Sequence, residues 1–184
     1  MSWIDQRPDD AMDGAFTAVG PEIVRTVEPA AFREAMSRLG AAVHVVTTDG
    51  PAGKSGFTAT AVCAISDEPA TLLVCLNRRS QATRLLHGNG VFCVNTLPAG
   101  EEAIADVFAG RSGDVMAERF RLGAWGTLKT GSPVLASAVM ALDCRIVEVK
   151  VVATHNLFIA GVEAIQHGPF GPALAYHERA YKRL

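Results

Sequence analysis

Small, polar and basic residues cluster in the segment from Ser55 to Ser80. It opens with SGFTATAVCAIS, where glycine, threonine and alanine outnumber bulky residues, and closes on Arg78, Arg79 and Ser80. Small residues let a backbone approach a flat ring closely, and their N–H and hydroxyl groups can bond its polar edge, while arginine and serine can hold a phosphate. The segment indicates a site for a flat, phosphorylated ligand, although an ordinary β-hairpin with a polar edge has the same composition.

Two further polar residues stand where a ligand could reach them. Asn95 interrupts the apolar run VFCVNTL, and a buried amide needs a hydrogen-bond partner, which the backbone or a ligand can supply. His155 lies at the bend between two apolar stretches, flanked by Thr154 and Asn156. Its imidazole could donate to a carbonyl or amide of a substrate and titrates near neutral pH, but a surface histidine in a turn has the same pattern.

The four cysteines favour structural roles. Each lies within an apolar run, without a CxxC pair or a histidine at metal-ligand spacing; they are Cys63, Cys75, Cys93 and Cys144. Such thiols are typical of a buried core rather than of zinc sites or disulfides, so the sequence predicts no metal site. Cys63 and Cys75 could still lie near a ligand, since both fall within the candidate segment.

Composition and charge argue against several classes of protein. The chain has 184 residues, enough for one domain with a substantial core. Its 17 basic and 19 acidic residues give a net charge of −2 without an extended basic run, which disfavours nucleic-acid binding. No apolar segment approaches the roughly 20 residues of a membrane span, and the acidic start is unlike a secretory signal. We expect a cytoplasmic protein with no membrane partner.

The apolar pattern predicts a mainly β fold, a small antiparallel barrel with peripheral helices. Residues 1–27 lack periodicity and are expected to be an N-terminal extension, leaving 28–184 as the folded domain. Helices are predicted at PAAFREAMSRLG, SQATRLLHG, GEEAIADVFAG and DVMAERFRLG, and a loop at WGTLKTGSP. Strands are predicted at AAVHVVTT, SGFTATAVCAI, TLLVCL (buried on both faces) and VFCVNTL, and on both sides of the bend at Thr154–Asn156. The absence of βαβ alternation favours a barrel over a doubly wound sheet.

Several stretches of the sequence resemble one known family. They are FREAMSRLGAAVHVVTTDGPAGKSGFTATAVCAIS, LLVCLNRRS, FCVNTL, FAG, ALDCRIVEVKVVATHNLFIAGVEAI and AYHERAYKRL. Over roughly Phe32 to Leu184 the chain resembles the short-chain flavin reductases, the reductase partners of two-component monooxygenases acting on phenols, chlorophenols, 4-hydroxyphenylacetate and, in pyrimidine utilisation, uracil. The segment from Arg38 to Ser66 is especially close to the pyrimidine-utilisation type. The resemblance implies a homodimer of FMN-binding split barrels with Greek-key topology. In such a dimer NADH or NADPH reduces FMN or FAD, and the reduced flavin passes to a separate oxygenase.

The resemblance also implies roles for individual residues. The strand along the flavin ring and ribityl chain is matched by Thr58, Ala59, Thr60, Ala61 and Val62, with Ser66 following it. The segment that runs to the phosphate is matched by Cys75, Leu76, Asn77, Arg79 and Ser80. Asn95 matches an asparagine of a family strand, so a ligand contact is one explanation for its polarity. His155 matches the histidine beside the nicotinamide and is the candidate catalytic residue, and Tyr181 matches the tyrosine that closes the nicotinamide site.

The chain departs from the family pattern at three places. Ala153-Thr154 stands where many members have Gly-Asp, and Ala64 stands where a second serine is common. Arg179 replaces a glycine two residues before Tyr181, so a bulky cation stands where a residue able to adopt positive φ is frequent.

Three activities are compatible with these residues. The favoured one is an NAD(P)H-dependent flavin reductase of the EC 1.5.1 type, in which a hydride passes from the nicotinamide to the flavin and no protein acid or base is required. A second is a flavin- or haem-binding split barrel without reductase activity. A third is a reductase that keeps its flavin bound and reduces another small-molecule acceptor.

Overall fold

The computed structural model describes residues 27–184, so the predicted extension at residues 1–27 lies outside the described residues except for Val27. The helices of residues 27–184 are α1 (Pro29–Ser37), α2 (Gln81–Asn89), α3 (Glu102–Phe108) and α4 (Met116–Arg119). The strands are β1 (Ala41–Ala42), β2 (His44–Thr48), β3 (Ser55–Ala59), β4 (Val62–Asp67), β5 (Ala70–Asn77), β6 (Val91–Thr96), β7 (Trp125–Thr127), β8 (Pro133–Leu135), β9 (Met140–Val152), β10 (His155–His167), β11 (Leu174–His177) and β12 (Ala180–Arg183). None of these helices has the length and apolar character that spanning a bilayer requires.

Seven strands form one antiparallel sheet in the order β3, β2, β6, β9, β10, β5, β4. The two edge strands, β3 and β4, follow each other in the chain and are joined by Thr60 and Ala61 alone. Side chains from both edges and from the strands between them pack into one cluster, including Phe57 of β3, Val62 of β4 and Phe158 of β10. A sheet whose two edges share one core is rolled into a barrel, and the predicted antiparallel barrel is confirmed.

Strand β5 shows how the barrel separates its two faces. Leu72, Val74 and Leu76 point into the barrel and are buried, whereas Leu73 and Cys75 lie on the outer face and are half-buried. The prediction that this strand is buried on both faces is therefore wrong. The physical reason is that no element of the described residues covers the outer face of β5, so the strand alternates as in an ordinary half-buried sheet.

A second apolar cluster lies on the other side of β2, where α3, β8 and β11 cover the sheet. Two features hold α3 close to β3. Thr58 Oγ1 donates a hydrogen bond of 2.6 Å to the Ala105 carbonyl, and a Cβ placed on Gly56 would lie 2.7 Å from the Phe108 ring. Gly56 is thus required for the approach of this helix, and Thr58 uses its hydroxyl to fix the helix in place.

The structure differs from the predicted elements in several local details. The strand predicted from Ser55 to Ile65 breaks at Thr60–Ala61, where the chain turns from one barrel edge to the other. The predicted loop around WGTLKTGSP contains β7 and the start of β8, which pair with each other, and the chain ends in the unpredicted hairpin β11–β12. Cys93 and Cys144 are buried as predicted, but Cys63 is exposed because it lies on the uncovered outer face of an edge strand.

Asn95 makes structural hydrogen bonds, which favours the backbone over a ligand as the partner of its buried amide. Its side chain is fully buried, and its Nδ2 donates to the Val45 carbonyl at 3.0 Å and to Thr47 Oγ1 at 3.2 Å. Its Oδ1 accepts the backbone N–H of Leu135 at 2.8 Å. The amide therefore joins β2, β6 and β8, and no part of it is left for a ligand.

Replacing Asn95 with Ala should lower the free energy of unfolding by about 3 kcal/mol, because the Leu135 N–H and the Val45 carbonyl lose a buried partner. Urea unfolding measures this loss, and an FMN titration of the folded variant should give an unchanged dissociation constant. Asn89→Ala is the matched control, since Asn89 also bonds backbone groups but is only half-buried, and its loss should be smaller. Weaker FMN binding at unchanged stability would contradict the structural role.

Candidate functional site

Two cavities lie near the corner at which β3 passes into β4: one includes Thr60 of the corner, and the other lies at the end of β5, whose Cys75 bonds the corner. The first, called the hairpin cavity, has a volume of about 480 Å³ and is lined by Asn77, Arg78, Arg79, Ala153 and Thr154. The second, called the tyrosine cavity, has a volume of about 200 Å³ and is lined by Val43, Thr58, Ala59, Thr60, Ala109, Arg111, Tyr176 and Tyr181. Six of the predicted flavin and nicotinamide residues line these two cavities: Thr58, Ala59, Thr60, Asn77, Arg79 and Tyr181.

Asn77 builds the wall of the hairpin cavity by organising the turn from β5 into α2. Its Oδ1 accepts the backbone N–H of Arg79 at 2.9 Å, and its carbonyl accepts the Ser80 N–H at 3.0 Å and the Thr83 hydroxyl at 2.9 Å. The Arg78 N–H in turn donates to the Thr154 carbonyl at 3.0 Å, which ties the turn to the β9–β10 bend. Both arginine side chains are exposed beside that bend.

The hairpin cavity is electropositive. Within residues 27–184 no carboxylate forms an ion pair with Arg78 or Arg79. Ser80 occupies the N-cap position of α2 as predicted, but its side chain makes no capping bond, so its hydroxyl stays available. Ser80 itself lines a shallower depression with Gln81, Arg84 and Leu85 next to the first turn. Uncompensated guanidinium groups and a helix N-terminus together favour an anion such as a phosphate.

The corner between the two cavities offers free backbone donors. Thr60 and Ala61 are exposed, and their N–H groups bond no acceptor within the part of the chain that the structure describes. The Ala61 carbonyl accepts the Cys75 N–H at 3.0 Å, and the Thr60 carbonyl accepts the Val62 N–H at 3.0 Å. These two bonds through the carbonyls fix the backbone of the corner. It presents two fixed donors to the polar edge of a ligand.

The tyrosine cavity is walled by a connected polar group. One oxygen of Asp106, Oδ1, accepts from Arg111 Nη1 at 2.7 Å and from the Tyr181 hydroxyl at 2.8 Å. The guanidinium lies 5.8 Å from the centre of the Tyr181 ring, and the Tyr176 ring meets that of Tyr181 edge-on at 5.5 Å. Burial, together with the hydrogen bond and charge of Asp106, raises the pKa of Tyr181 to about 12, so the phenol is protonated at neutral pH.

The structure gathers some of the predicted site residues and separates others. Thr58, Ala59 and Thr60 line the tyrosine cavity with Tyr181, and Asn77 and Arg79 line the hairpin cavity. His155 pairs with Asn77 across β10 and β5, is exposed, and bonds the Thr154 hydroxyl through Nδ1 at 2.9 Å. His155 and Tyr181, both expected beside the nicotinamide, therefore lie by different cavities of one chain.

Besides Ala61, Ser80 and Asn95, four of the predicted cofactor residues line neither cavity. Leu76 points into the barrel and is buried, so its side chain cannot reach a ligand. Val62 packs against the same core, and its N–H donates a hydrogen bond to the Thr60 carbonyl. Cys75 lies on the outer face of β5, half-buried. Ser66 lies near the far end of β4 and bonds Glu68, so the fold does not bring it to the corner.

Sequence reasoning did not find the outer wall of the tyrosine cavity. Asp106 and Arg111 lie in and after the predicted third helix, where they have the pattern of ordinary surface charges. Tyr176 faces Tyr181 because the two residues are register partners in the β11–β12 hairpin. Had the turn at His177–Ala180 been predicted, the pairing of the two strands around it would have placed both tyrosine rings on one face.

Comparison with known proteins connects this geometry to one family. The sequence model of one protein family, the flavin reductase like domain, matches residues 36–184 of the chain. The chain is 51% identical over 158 residues, which is 86% of the chain and 78% of the relative, to a protein named FMN reductase (NADH) RutF 1 from a strain of Methylorubrum extorquens.

Two solved structures extend the comparison. A candidate flavin reductase of Haemophilus somnus 129PT superposes with a TM-score of 0.82 at 42% identity, over 86% of this chain and 100% of that one. The styrene monooxygenase flavin reductase of Pseudomonas putida superposes with a TM-score of 0.73 at 25% identity, over 83% of this chain and 96% of that one. The protein belongs to the family of flavin reductase like domains.

Proposed function

We propose that this protein is an NADH-dependent FMN reductase that supplies reduced flavin to a separate monooxygenase. The observation that supports this most directly is the corner at Thr60–Ala61, where two free N–H donors border a cavity walled by tyrosines, with an electropositive cavity at the end of the adjoining strand β5. The name of the Methylorubrum relative favours FMN and NADH over FAD and NADPH, and the Pseudomonas relative is the reductase of a monooxygenase.

The described residues fit a phosphorylated flavin. Arg78 and Arg79, near the N-terminus of α2, would hold its phosphate, because these cations have no acidic partner within residues 27–184 and the helix dipole adds to their charge. The N–H groups of Thr60 and Ala61 would bond the polar edge of the flavin ring. The uncharged side chains of Ala59 and Ala61 leave room for a planar ring to approach the backbone.

When bound, a flavin accepts a hydride from the nicotinamide and carries the electrons away as it leaves. The chain itself has three tasks: to hold the phosphate, to orient the ring, and to position the nicotinamide against it. Tyr181, whose phenol is protonated at neutral pH, would border the nicotinamide from the tyrosine cavity, and His155, beside Asn77 of the hairpin cavity, would help to orient it from the other side. Neither residue needs to exchange a proton during the transfer.

One spectrophotometric assay tests the activity and separates it from the alternatives. We expect the purified protein to oxidise NADH when free FMN is supplied in excess, and to do so faster than with NADPH. A protein that binds flavin or haem without reductase activity would retain its cofactor and leave NADH unchanged. A reductase of another acceptor would oxidise NADH only when that acceptor is added.

The phosphate site predicts a difference between FMN and riboflavin, which lacks the phosphate. Arg79→Gln and Arg78→Gln should each weaken FMN binding about tenfold, the effect of losing one charge-assisted bond, and leave riboflavin binding unchanged. Fluorescence titration with both flavins measures the difference, and Arg121→Gln, an exposed arginine outside both cavities, is the control. Equal losses for the two flavins would overturn the assignment of the phosphate to this cavity.

We propose that His155 orients the nicotinamide. Its Nδ1 is engaged by Thr154, whereas its Nε2 bonds no group within residues 27–184 and is free to face a carboxamide. His155→Ala should raise the KM for NADH about tenfold with little change in the dissociation constant of FMN. His167→Ala is the matched control, since this exposed histidine ends the same strand. Unchanged turnover with NADH in the His155 variant would remove this role.

We propose that the protein is a homodimer. Strands β4 and β9 expose apolar side chains, among them Val147 at 67%, Val151 at 59% and Ile65 at 49%, and a second copy would cover such a surface. Val147→Glu should weaken self-association at least about tenfold, because it would bury an unpaired charge. Sedimentation equilibrium measures this, with Val115→Glu as the control, because Val115 precedes α4, outside the exposed strands, and is similarly exposed at 65%. A wild-type monomer at all concentrations would contradict the proposal.

Two further expectations complete the proposal. Residues 28–184 would form the reductase domain, which is supported by the family match and by the ion pair of 2.6 Å between Glu34 of α1 and Arg179 of the last hairpin. The reaction would take place in the cytoplasm, where the free thiols of Cys63, Cys75, Cys93 and Cys144 suit a reducing compartment.

A further inference from the structure

The outer wall of the tyrosine cavity is a cluster with one carboxylate at its centre. Asp106 lies in α3, Arg111 follows that helix, and Tyr181 belongs to the final hairpin, so three separate parts of the chain meet there. A single oxygen of Asp106 accepts from both Arg111 and Tyr181, at 2.7 Å and 2.8 Å. Two donors on one oxygen fix the guanidinium and the phenol relative to each other and to the cavity.

The charge of this cluster differs from that of the hairpin cavity. Arg111 is paired with Asp106, so the guanidinium offers directed N–H groups without a net positive charge. In the hairpin cavity Arg78 and Arg79 have no acidic partner within residues 27–184. A phosphate would be repelled by Asp106 nearly as much as it is attracted by Arg111, whereas a neutral carbonyl oxygen needs only the directed donors.

The size of the tyrosine cavity limits what it can hold. About 200 Å³ is below the roughly 300–1,000 Å³ typical of a pocket that encloses a whole ligand. The cavity can therefore take only one end of a cofactor, and its walls suit a flat end. The Tyr176 and Tyr181 rings and the guanidinium plane offer apolar and π surfaces, and the opposite wall is the small-residue stretch Thr58–Thr60.

We propose that Arg111, positioned by Asp106, donates hydrogen bonds to a ring carbonyl of the bound redox cofactor and thereby sets its affinity. The carbonyl is either the carboxamide of the nicotinamide or a carbonyl of the flavin pyrimidine ring, which share this chemistry. The inference rests on the proposed function and adds to it the residue that recognises the uncharged end of the cofactor. Arg111 would touch the ligand, and Asp106 would act through Arg111 as a positioning residue.

Replacement of Arg111 tests the contact. Arg111→Gln and Arg111→Lys should each weaken binding of one cofactor about tenfold; lysine should not rescue, because it keeps the charge but loses the planar fork of donors. The loss should be the same at low and high salt, since a neutral acceptor is not subject to ionic screening. A rise in the KM for NADH at constant FMN affinity identifies the nicotinamide, and weaker binding of FMN and riboflavin alike identifies the flavin ring.

The matched control is Arg145→Gln. Arg145 is as exposed as Arg111, 54% for each side chain, and it also forms an ion pair of 2.7 Å, with Glu163, but it lies outside both cavities. Affinities in the Arg111 variants that equal those of this control overturn the proposal. So does full rescue by lysine that disappears at high salt, because that would mark a phosphate. A loss of both affinities with a lowered melting temperature would mark Arg111 as merely structural and also overturns it.

The positioning role of Asp106 has its own spectroscopic readout. The chain contains two tyrosines, so the phenolate absorbance of a Tyr176→Phe variant reports Tyr181 alone. Adding Asp106→Asn should lower the pKa of Tyr181 from about 12 towards its ordinary value, because the carboxylate is one cause of the rise. Asp106→Asn should also reproduce most of the affinity loss of Arg111→Gln.

An unchanged pKa of Tyr181 together with unchanged affinity would exclude a positioning role for Asp106. Failure of this inference is distinguishable from failure of the proposed function. A wild-type protein that oxidises no NADH contradicts the function, whereas the binding titrations and the tyrosine titration judge the cluster without any turnover.

Discussion

Closure of the seven-stranded sheet is the constraint on which the candidate site depends. To bury Phe57, Val62 and Phe158 in one core, the sheet must roll until its two edges meet, and the chain must pass from one edge to the other within two residues. During that passage the Ala61 carbonyl bonds the Cys75 N–H of β5, but the N–H groups of Thr60 and Ala61 find no acceptor within residues 27–184 and both residues are exposed. Most backbone donors of a folded chain find a partner, and a pair left free at a fixed corner is available to a ligand. The same closure that forms the core thus creates the donors.

Charge then divides the space around the corner into two chemically different ends. On one side the turn organised by Asn77 places two unpaired arginines near the start of α2. On the other side Asp106 neutralises Arg111 and leaves it with directed donors. A flavin nucleotide has the same polarity, with a dianionic phosphate at one end and an uncharged ring with carbonyl oxygens at the other. The complementarity lies in the difference between the two cavities rather than in any single residue.

Sequence reasoning succeeded where the deciding interactions are local. The helices, the β9–β10 bend and the basic turn at Arg78–Ser80 follow from periodicity, capping and turn residues, and the family resemblance located the corner strand. It left questions open where residues distant in the sequence determine the structure. Asn95 is polar because Val45 and Leu135, 50 and 40 residues away, need its amide, which no local pattern reveals. The wall of the tyrosine cavity needs the final hairpin to fold over α3, so Asp106 and Arg111 could not be told from surface charges.

Two of the three departures from the family pattern occupy a backbone conformation that favours glycine. Ala153 and Arg179, which stand where glycine is frequent, adopt φ of 50° and 59°, in the region that favours glycine. A side chain there costs about 1–2 kcal/mol, so each position must be held by its surroundings. The Thr154 carbonyl, next to Ala153, accepts the Arg78 N–H, and Arg179 forms an ion pair of 2.6 Å with Glu34 of α1. Arg179 lacks the conformational freedom of glycine, but its ion pair with Glu34 links the last hairpin to the first helix. Its guanidinium is committed to that tie, which leaves Arg111 as the one arginine that lines the tyrosine cavity within residues 27–184.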